Sequence, residues 1–178
     1  GQQGVPYDTA RMKGVVRLAA EKAGWGKKLP KGEGLGIAFH FSHSGYVAMA
    51  AEVAVTPDGT VKVRHVSAAI DVGPIVNLSG AENQIQGSII DGLGMAWLQE
   101  LTFDRGRTEQ SNFNDFPLLR STETPAMTVS FIQSKNPPTG LGEPGYPVVP
   151  PAICNAIFAA TGKRIRSLPF NKVDLSWT

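Results

Sequence analysis

The stretch TGLGEPGYPVVPPAICNAIFAATGKR, residues 139–164, decides between two folds. Its opening, Gly140-Leu141-Gly142-Glu143-Pro144-Gly145, satisfies the G-x-G-x-x-G spacing of a dinucleotide-binding turn. Such a turn follows a hydrophobic strand, opens a helix within the glycines, and is followed by an acidic residue roughly 20 positions on. None of the three is present. Residues 134–138 are polar and end in Pro137-Pro138, Pro144 stands where the helix should open, and residues 163–166 are basic. Pro147, Pro150 and Pro151 keep the chain extended until a helix starts near Pro151, where a proline is tolerated in the first turn. A doubly wound dinucleotide fold is therefore set aside. The alternative is a rigid loop that holds a carboxylate, Glu143, between glycines.

Working outward from this loop, Ile153, Ala156, Ile157 and Ala160 form a helical apolar stripe that stops at Gly162, and residues 164–170 read as a final strand. At the other end, Asp8 or Thr9 can cap a helix whose Met12, Val15, Val16 and Ala19 share one face, with Gly24 as its stop. Strands are predicted over 35–41, 46–55 and 61–69, the last two joined by Thr56-Pro-Asp-Gly-Thr60, a strong hairpin signal. Asp71-Val-Gly-Pro74 ends the third strand. A long helix is predicted over 79–101, with Ile90, Leu93, Trp97 and Leu101 as its core stripe. An ordered polar loop around Asn112–Pro117 and a strand over 127–133 follow. The expected fold class is α+β, with mixed sheets, a long glycine-striped helix and a C-terminal helix.

With 178 residues, 42% hydrophobic and 18% charged, the chain has enough apolar material for one good-sized core. No run approaches the roughly 18 apolar residues of a membrane span. The net charge is +2 and the basic residues are scattered, so nucleic acid is not an expected partner. The single cysteine, Cys154, excludes an internal disulfide framework and a multi-thiolate metal site made by this chain alone. Residues 1–6 lack the basic start and apolar core of a signal peptide. They also lack an initiator methionine, so the chain is expected to be a piece of something longer or a processed product.

Glycines beside Glu143 let its backbone approach a ligand, and Pro144 limits its motion. A fixed carboxylate in a partly buried site can serve as a general base; a surface-turn glutamate is the plainer alternative. Gly80, Gly87 and Gly94 recur every seven residues on a helical stripe with Gln84 and Asp91. Three helix-interior glycines, each costing about 1 kcal/mol relative to alanine, mean that something approaches the backbone there. From the residues alone, packing against another element is the favoured explanation, and a ligand face, with Gln84 offering its amide, is the other. His40, His43 and His65 have no acidic neighbours at a metal-ligand spacing, so no metal ligands are assigned. Ser42 and Ser44 lack a nucleophile-elbow context, and Cys154 in an apolar helix reads as a small packing residue.

Taken together, DVGPIVNLSGAENQIQGSIIDGLGMAWLQELTF (71–103), FNDFPLLRSTETP (113–125) and GLGEPGYPVVPPAICNAIFAATGKRIRSLPF (140–170) resemble the C-terminal part of the molybdopterin-binding large subunit of the xanthine oxidase family. The likeness is nearest to the isoquinoline 1-oxidoreductase beta-subunit and related bacterial aldehyde dehydrogenases, and it extends from the first helix to Phe170. It implies that residues 1–178 are a portion of a larger molybdopterin-binding domain that is not self-contained. It further implies hydroxylation of an aldehyde or N-heteroaromatic substrate with water as the oxygen source. Glu143 would be the catalytic base, with Gln84, Gly87, Gly140 and Gly142 on the cofactor side, which reverses the preference on the glycine stripe. The implied cofactor is molybdopterin with molybdenum, in plain or cytosine dinucleotide form. Implied partners are the remainder of the large subunit, a subunit with 2Fe-2S clusters, a cytochrome c acceptor and a small-molecule substrate, in the bacterial periplasm or the cytoplasm. In the family Asn-Pro is usual where Asn77-Leu78 stands here. An inactive scaffold or assembly module of the same fold is the competing expectation.

Overall fold

The computed structural model describes residues 7–178; residues 1–6, where no signal peptide is expected, lie outside them. Helix α1 (Thr9–Ala23) begins where Asp8 accepts hydrogen bonds from the Ala10 and Arg11 amides. It ends at Gly24, whose left-handed backbone (φ 65°) lets its N–H reach back to the last turn. Both caps fall at the residues the sequence indicates.

Strands β1 (Glu33–Ser42), β2 (Gly45–Val55) and β3 (Val61–Asp71) form an antiparallel meander. The chain then runs through helix α2 (Leu78–Trp97) and a two-strand hairpin, β4 (Phe103–Asp104) with β5 (Arg107–Thr108). It returns as β6 (Ala126–Phe131), which pairs parallel to β3, giving a mixed sheet of order β1-β2-β3-β6. The last helix is α3 (Val149–Thr161), with Pro150 and Pro151 in its first turn and left-handed Gly162 (φ 76°) at its end.

The sheet is covered on both faces, which explains why the start of β2 is a continuous apolar run instead of an alternating one. On one face Tyr46, Ala48 and Ala69 pack with Val15 and Ala19 of α1. On the other, Val47, Met49, Ala51, Val53, Ala68 and Ile70 pack with Ile85, Ile89 and Leu93 of α2 and Ile153, Ala156 and Ile157 of α3. Helix α3 lies directly on β1 because Gly34 and Gly36 carry no side chain. A Cβ on Gly36 would stand 2.1 Å from the Ala156 nitrogen and 2.2 Å from the Ala152 oxygen. The α+β class is as expected.

Three expectations are corrected. The buried face of α2 is Ala81, Ile85, Ile89, Leu93 and Ala96; Ile90 and Trp97 are only half-buried, and Leu101, 52% exposed, lies beyond the helix end. The helix is apolar on more than one face, so its 3.6-residue period does not fix which face goes inward. The glycine most tightly packed in α2 is Gly92, outside the seven-residue series, where an added Cβ would be 2.8 Å from Val149 Cβ. Residues 164–170 form no strand. Only Ile165, Pro169 and Phe170 are buried there, a pattern foreign to strand alternation, and Pro169 cannot donate to a ladder.

Candidate functional site

The loop read first from the sequence forms one wall of a cleft of about 620 Å³. Gly142 has φ 112° and ψ −81°, a conformation that excludes residues with side chains, and an added Cβ there would stand 2.6 Å from Gln84 Oε1. Glu143–Gly145 then makes one 3-10 turn, closed by the Tyr146 amide donating to the Glu143 carbonyl at 3.0 Å. Gly145 lets this turn seat on α2, since a Cβ would be 2.9 Å from Ser88 Oγ. The Ser88 hydroxyl lies 2.7 Å from the Gly142 carbonyl and 2.8 Å from that of Gln84, joining loop to helix. Ser88 was not singled out in the sequence; one serine in an apolar helix gives little signal.

The chain leading into the loop is also fixed. Arg11 Nε donates to Asp71 Oδ2 at 2.8 Å and Nη2 to Oδ1 at 3.0 Å, both side chains being nearly buried. Ser134 Oγ donates to the same carboxylate at 2.9 Å. Burial opposes ionisation of Asp71, but the hydrogen bonds from Arg11 and Ser134 together with the Arg11 charge hold its carboxyl below the usual range. Thr139 N donates to the Val72 carbonyl at 3.0 Å, and left-handed Gly73 (φ 81°) gives room for the Asn136 carbonyl to cross, 2.6 Å from where a Cβ would stand.

The cleft is also lined by Asn83, Gln84, Gly87, Ser88 and Asp91 of α2 and by the hairpin residues Ser42 and His43. Asn77 caps α2 by accepting from the Gly80 amide at 2.9 Å, so the turn forms with Leu78 in place of a proline. Gln84, Gly87, Gly142 and Glu143 thus share one cleft. Gly140 is exposed and does not line it. Of the seven-residue glycine series only Gly87 faces the cleft, and a Cβ there would meet nothing within 4 Å. Gly80 packs over Asn77, and Gly94 over Gln99 and Leu119. Glu143 is 86% exposed at its side chain, so the expected partial burial is not supplied by these residues. Its Oε2 lies 3.5 Å from His43 Nε2. His65 bonds instead to Thr128 Oγ1 at 3.0 Å, and burial pushes the Cys154 thiol up.

The cleft has the size and polar lining of a small-molecule site. Its volume is that of a small-molecule site, Gln84 and Asn83 offer amide donors and acceptors, and the bare backbone at Gly87 leaves the floor open. Among the described residues no group of three or more His, Cys, Asp or Glu could hold a metal ion, so a metal seated here would have to bring its own ligands.

A cleft of this kind is compatible with a cofactor, and residues 8–125 match the family described as the molybdopterin cofactor-binding domain. The chain belongs to that family, within the xanthine oxidase family of molybdenum hydroxylases. It is 36% identical over 171 residues to the "Membrane-bound aldehyde dehydrogenase [pyrroloquinoline-quinone]" of Gluconacetobacter polyoxogenes, covering 93% of this chain and 22% of that protein. It is 33% identical over 159 residues to the isoquinoline 1-oxidoreductase subunit beta of Brevundimonas diminuta, covering 87% and 20%. Among solved structures, the aldehyde oxidoreductase of Desulfovibrio gigas superposes with a TM-score of 0.61 at 26% identity, over 70% of this chain and 14% of that one. Quinoline 2-oxidoreductase of Pseudomonas putida 86 gives 0.65 at 22% identity, over 71% and 17%, a likeness of fold alone. The chain therefore spans about a fifth of the length of these curated relatives.

Proposed function

We propose that this chain forms one wall of the molybdopterin site of an oxidoreductase that hydroxylates an aldehyde or an N-heteroaromatic compound, with water as the oxygen source and Glu143 as the base. The observation that carries this reading is that Glu143, on a glycine-flanked 3-10 turn, lines the same cleft as Gln84 and Gly87. Relatives named for aldehyde, isoquinoline, nicotinate and nicotine substrates support the two substrate classes.

When bound, the molybdenum cofactor supplies the oxygen-transfer and electron-accepting chemistry. Gln84 would hold the pterin edge through its amide, and Gly87 would let the ring lie close to the helix backbone. Glu143 would take the proton released as the oxygen nucleophile forms, a role that asks for a carboxylate held in place and ionised at working pH. The Ser88 bridge and the Asp71 anchor keep the loop from swinging away.

The remainder of the large subunit would cover Glu143 and the apolar groove lined by Leu101, Phe113 and Phe116, beside exposed Phe103. We include in the proposal the cytosine dinucleotide form of the cofactor, 2Fe-2S clusters in a partner subunit, a cytochrome c acceptor and a periplasmic location.

The test is metal and pterin analysis of the protein purified with its partners, followed by Glu143→Gln. Molybdenum and pterin in stoichiometric amounts are expected; pyrroloquinoline quinone without molybdenum would overturn the assignment. Glu143→Gln should keep the molybdenum content and lower turnover by about 10²–10⁴-fold. Near-normal turnover would remove Glu143 from the mechanism.

A further inference from the structure

The hairpin between β1 and β2 turns on two residues, His43 (φ 52°) and Ser44 (φ 60°), both left-handed. Two-residue turns of this hand favour Asn-Gly or Gly-Gly, because a side chain at positive φ is strained, and strain of this kind concentrates at functional sites. Here the strained turn carries an imidazole held at both ends. Its Nδ1 lies 2.7 Å from Ser42 Oγ, and its Nε2 lies 3.5 Å from Glu143 Oε2.

His43 also stands between two openings. It lines the main cleft, and it lines a second cavity of about 180 Å³ shared with Arg11, Ser44, Pro137, Pro138 and Thr139. The charged groups around it are Glu143 from the loop, Asp91 on α2, which lines the same cleft, and Arg11 from α1, which is committed to Asp71. Glu143 is the one that reaches the ring, its Oε2 being 3.5 Å from Nε2.

We propose that His43 is a proton-relay residue, passing to the second opening the proton that Glu143 takes up; this rests on the reading of Glu143 as the base. With the Nδ1 proton donated to Ser42 Oγ, the Nε2 lone pair faces the carboxyl. The Glu143 O–H bond breaks and the Nε2–H bond forms, returning Glu143 to carboxylate and leaving an imidazolium. Loss of that proton to water restores the neutral ring. An imidazole is suited to this exchange near neutral pH. The 56% exposure of His43 provides the exit when the cleft itself is filled.

The experiment uses the complete enzyme. His43→Asn keeps a residue that tolerates the left-handed turn, and His43→Ala leaves room for an added base. Both should lower kcat about tenfold or more with KM little changed. Added imidazole buffer should restore His43→Ala in a dose-dependent way and leave the parent enzyme unaffected. Independently of turnover, molybdenum and pterin content should be unchanged in both His43 variants, since the ring carries a proton and holds no cofactor. Parent-level turnover in both His43 variants, a loss that imidazole does not restore, or a loss explained by missing molybdenum or pterin overturns the relay while the loss in Glu143→Gln stands. Normal turnover in Glu143→Gln overturns the base and the relay together.

Discussion

Replacing Asp71 by alanine should destabilise the protein by about 3 kcal/mol, at the lower end of the roughly 3–5 kcal/mol that follows from breaking a buried ion pair. Asp71 is 3% and Arg11 9% exposed, and two charge-assisted hydrogen bonds of 2.8 and 3.0 Å join them. Truncation leaves the guanidinium nearly buried with only the Asp71 carbonyl, at 3.1 Å, and the face of Tyr46, at 4.3 Å, as company. Both contacts exist in the parent and so offset nothing, but the small exposure of Arg11 lets it turn toward water, which favours the lower figure. For a chain of this length about 3 kcal/mol corresponds to a fall in Tm of roughly 6–12 °C. Urea unfolding of the purified protein, followed by tryptophan fluorescence, measures it. The cycle with Arg11→Met isolates the pair, and a coupling of at least about 2 kcal/mol is expected. The folded-state carboxyl lies below its unfolded value, so the pair stabilises fully above pH of about 4 and is lost as pH falls through the folded pKa. Asp71→Ala should therefore show a flatter acid limb. A loss under about 1 kcal/mol, or a coupling near zero, would refute this account.

Gly36→Val should cost at least about 3 kcal/mol, because the added carbons meet the α3 backbone and not a movable side chain; unfolding within about 1 kcal/mol of the parent would show that α3 can lift from β1. Gly142→Ala should lower turnover more than stability, since the strained φ and the clash with Gln84 Oε1 both fall on the loop; parent-level kcat would count against the loop's rigidity. Gly87→Leu should leave the helix unharmed or firmer by about 0.5–1 kcal/mol while reducing retained pterin, measured by fluorescence after oxidation; normal pterin content would place the cofactor away from this floor.

The parts of this fold that the sequence announces are those encoded locally. Asp8 and Gly24 bracket α1, Pro-Asp-Gly turns β2 into β3, and Pro150 and Pro151 sit in the first turn of α3, where their missing N–H groups cost nothing. What it does not announce is long-range. The phase of α2 depends on which of two apolar faces meets Val149, and the parallel return of β6 beside β3 depends on how α2 crosses over. At the candidate site, Glu143 and Gln84 stand in one cleft as the resemblance implies, whereas Gly140 does not reach it. His43 sits beside Glu143 only because a hairpin tip and a distant loop converge, and no spacing within either segment signals that meeting.

That convergence ties the cleft to the folded state. The cleft is assembled from residues 42–43, 83–91 and 142–147, three segments separated by much of the chain. The third of these segments, residues 142–147, is held on α2 by the close seat of Gly145 and by the Ser88 hydroxyl at the Gly142 carbonyl. The cleft is therefore a product of tertiary packing, and loosening any one of the three segments opens it. A ligand that touches all three binds the folded chain and not the unfolded one, and so adds to the stability of the fold by an amount that rises with its concentration relative to Kd.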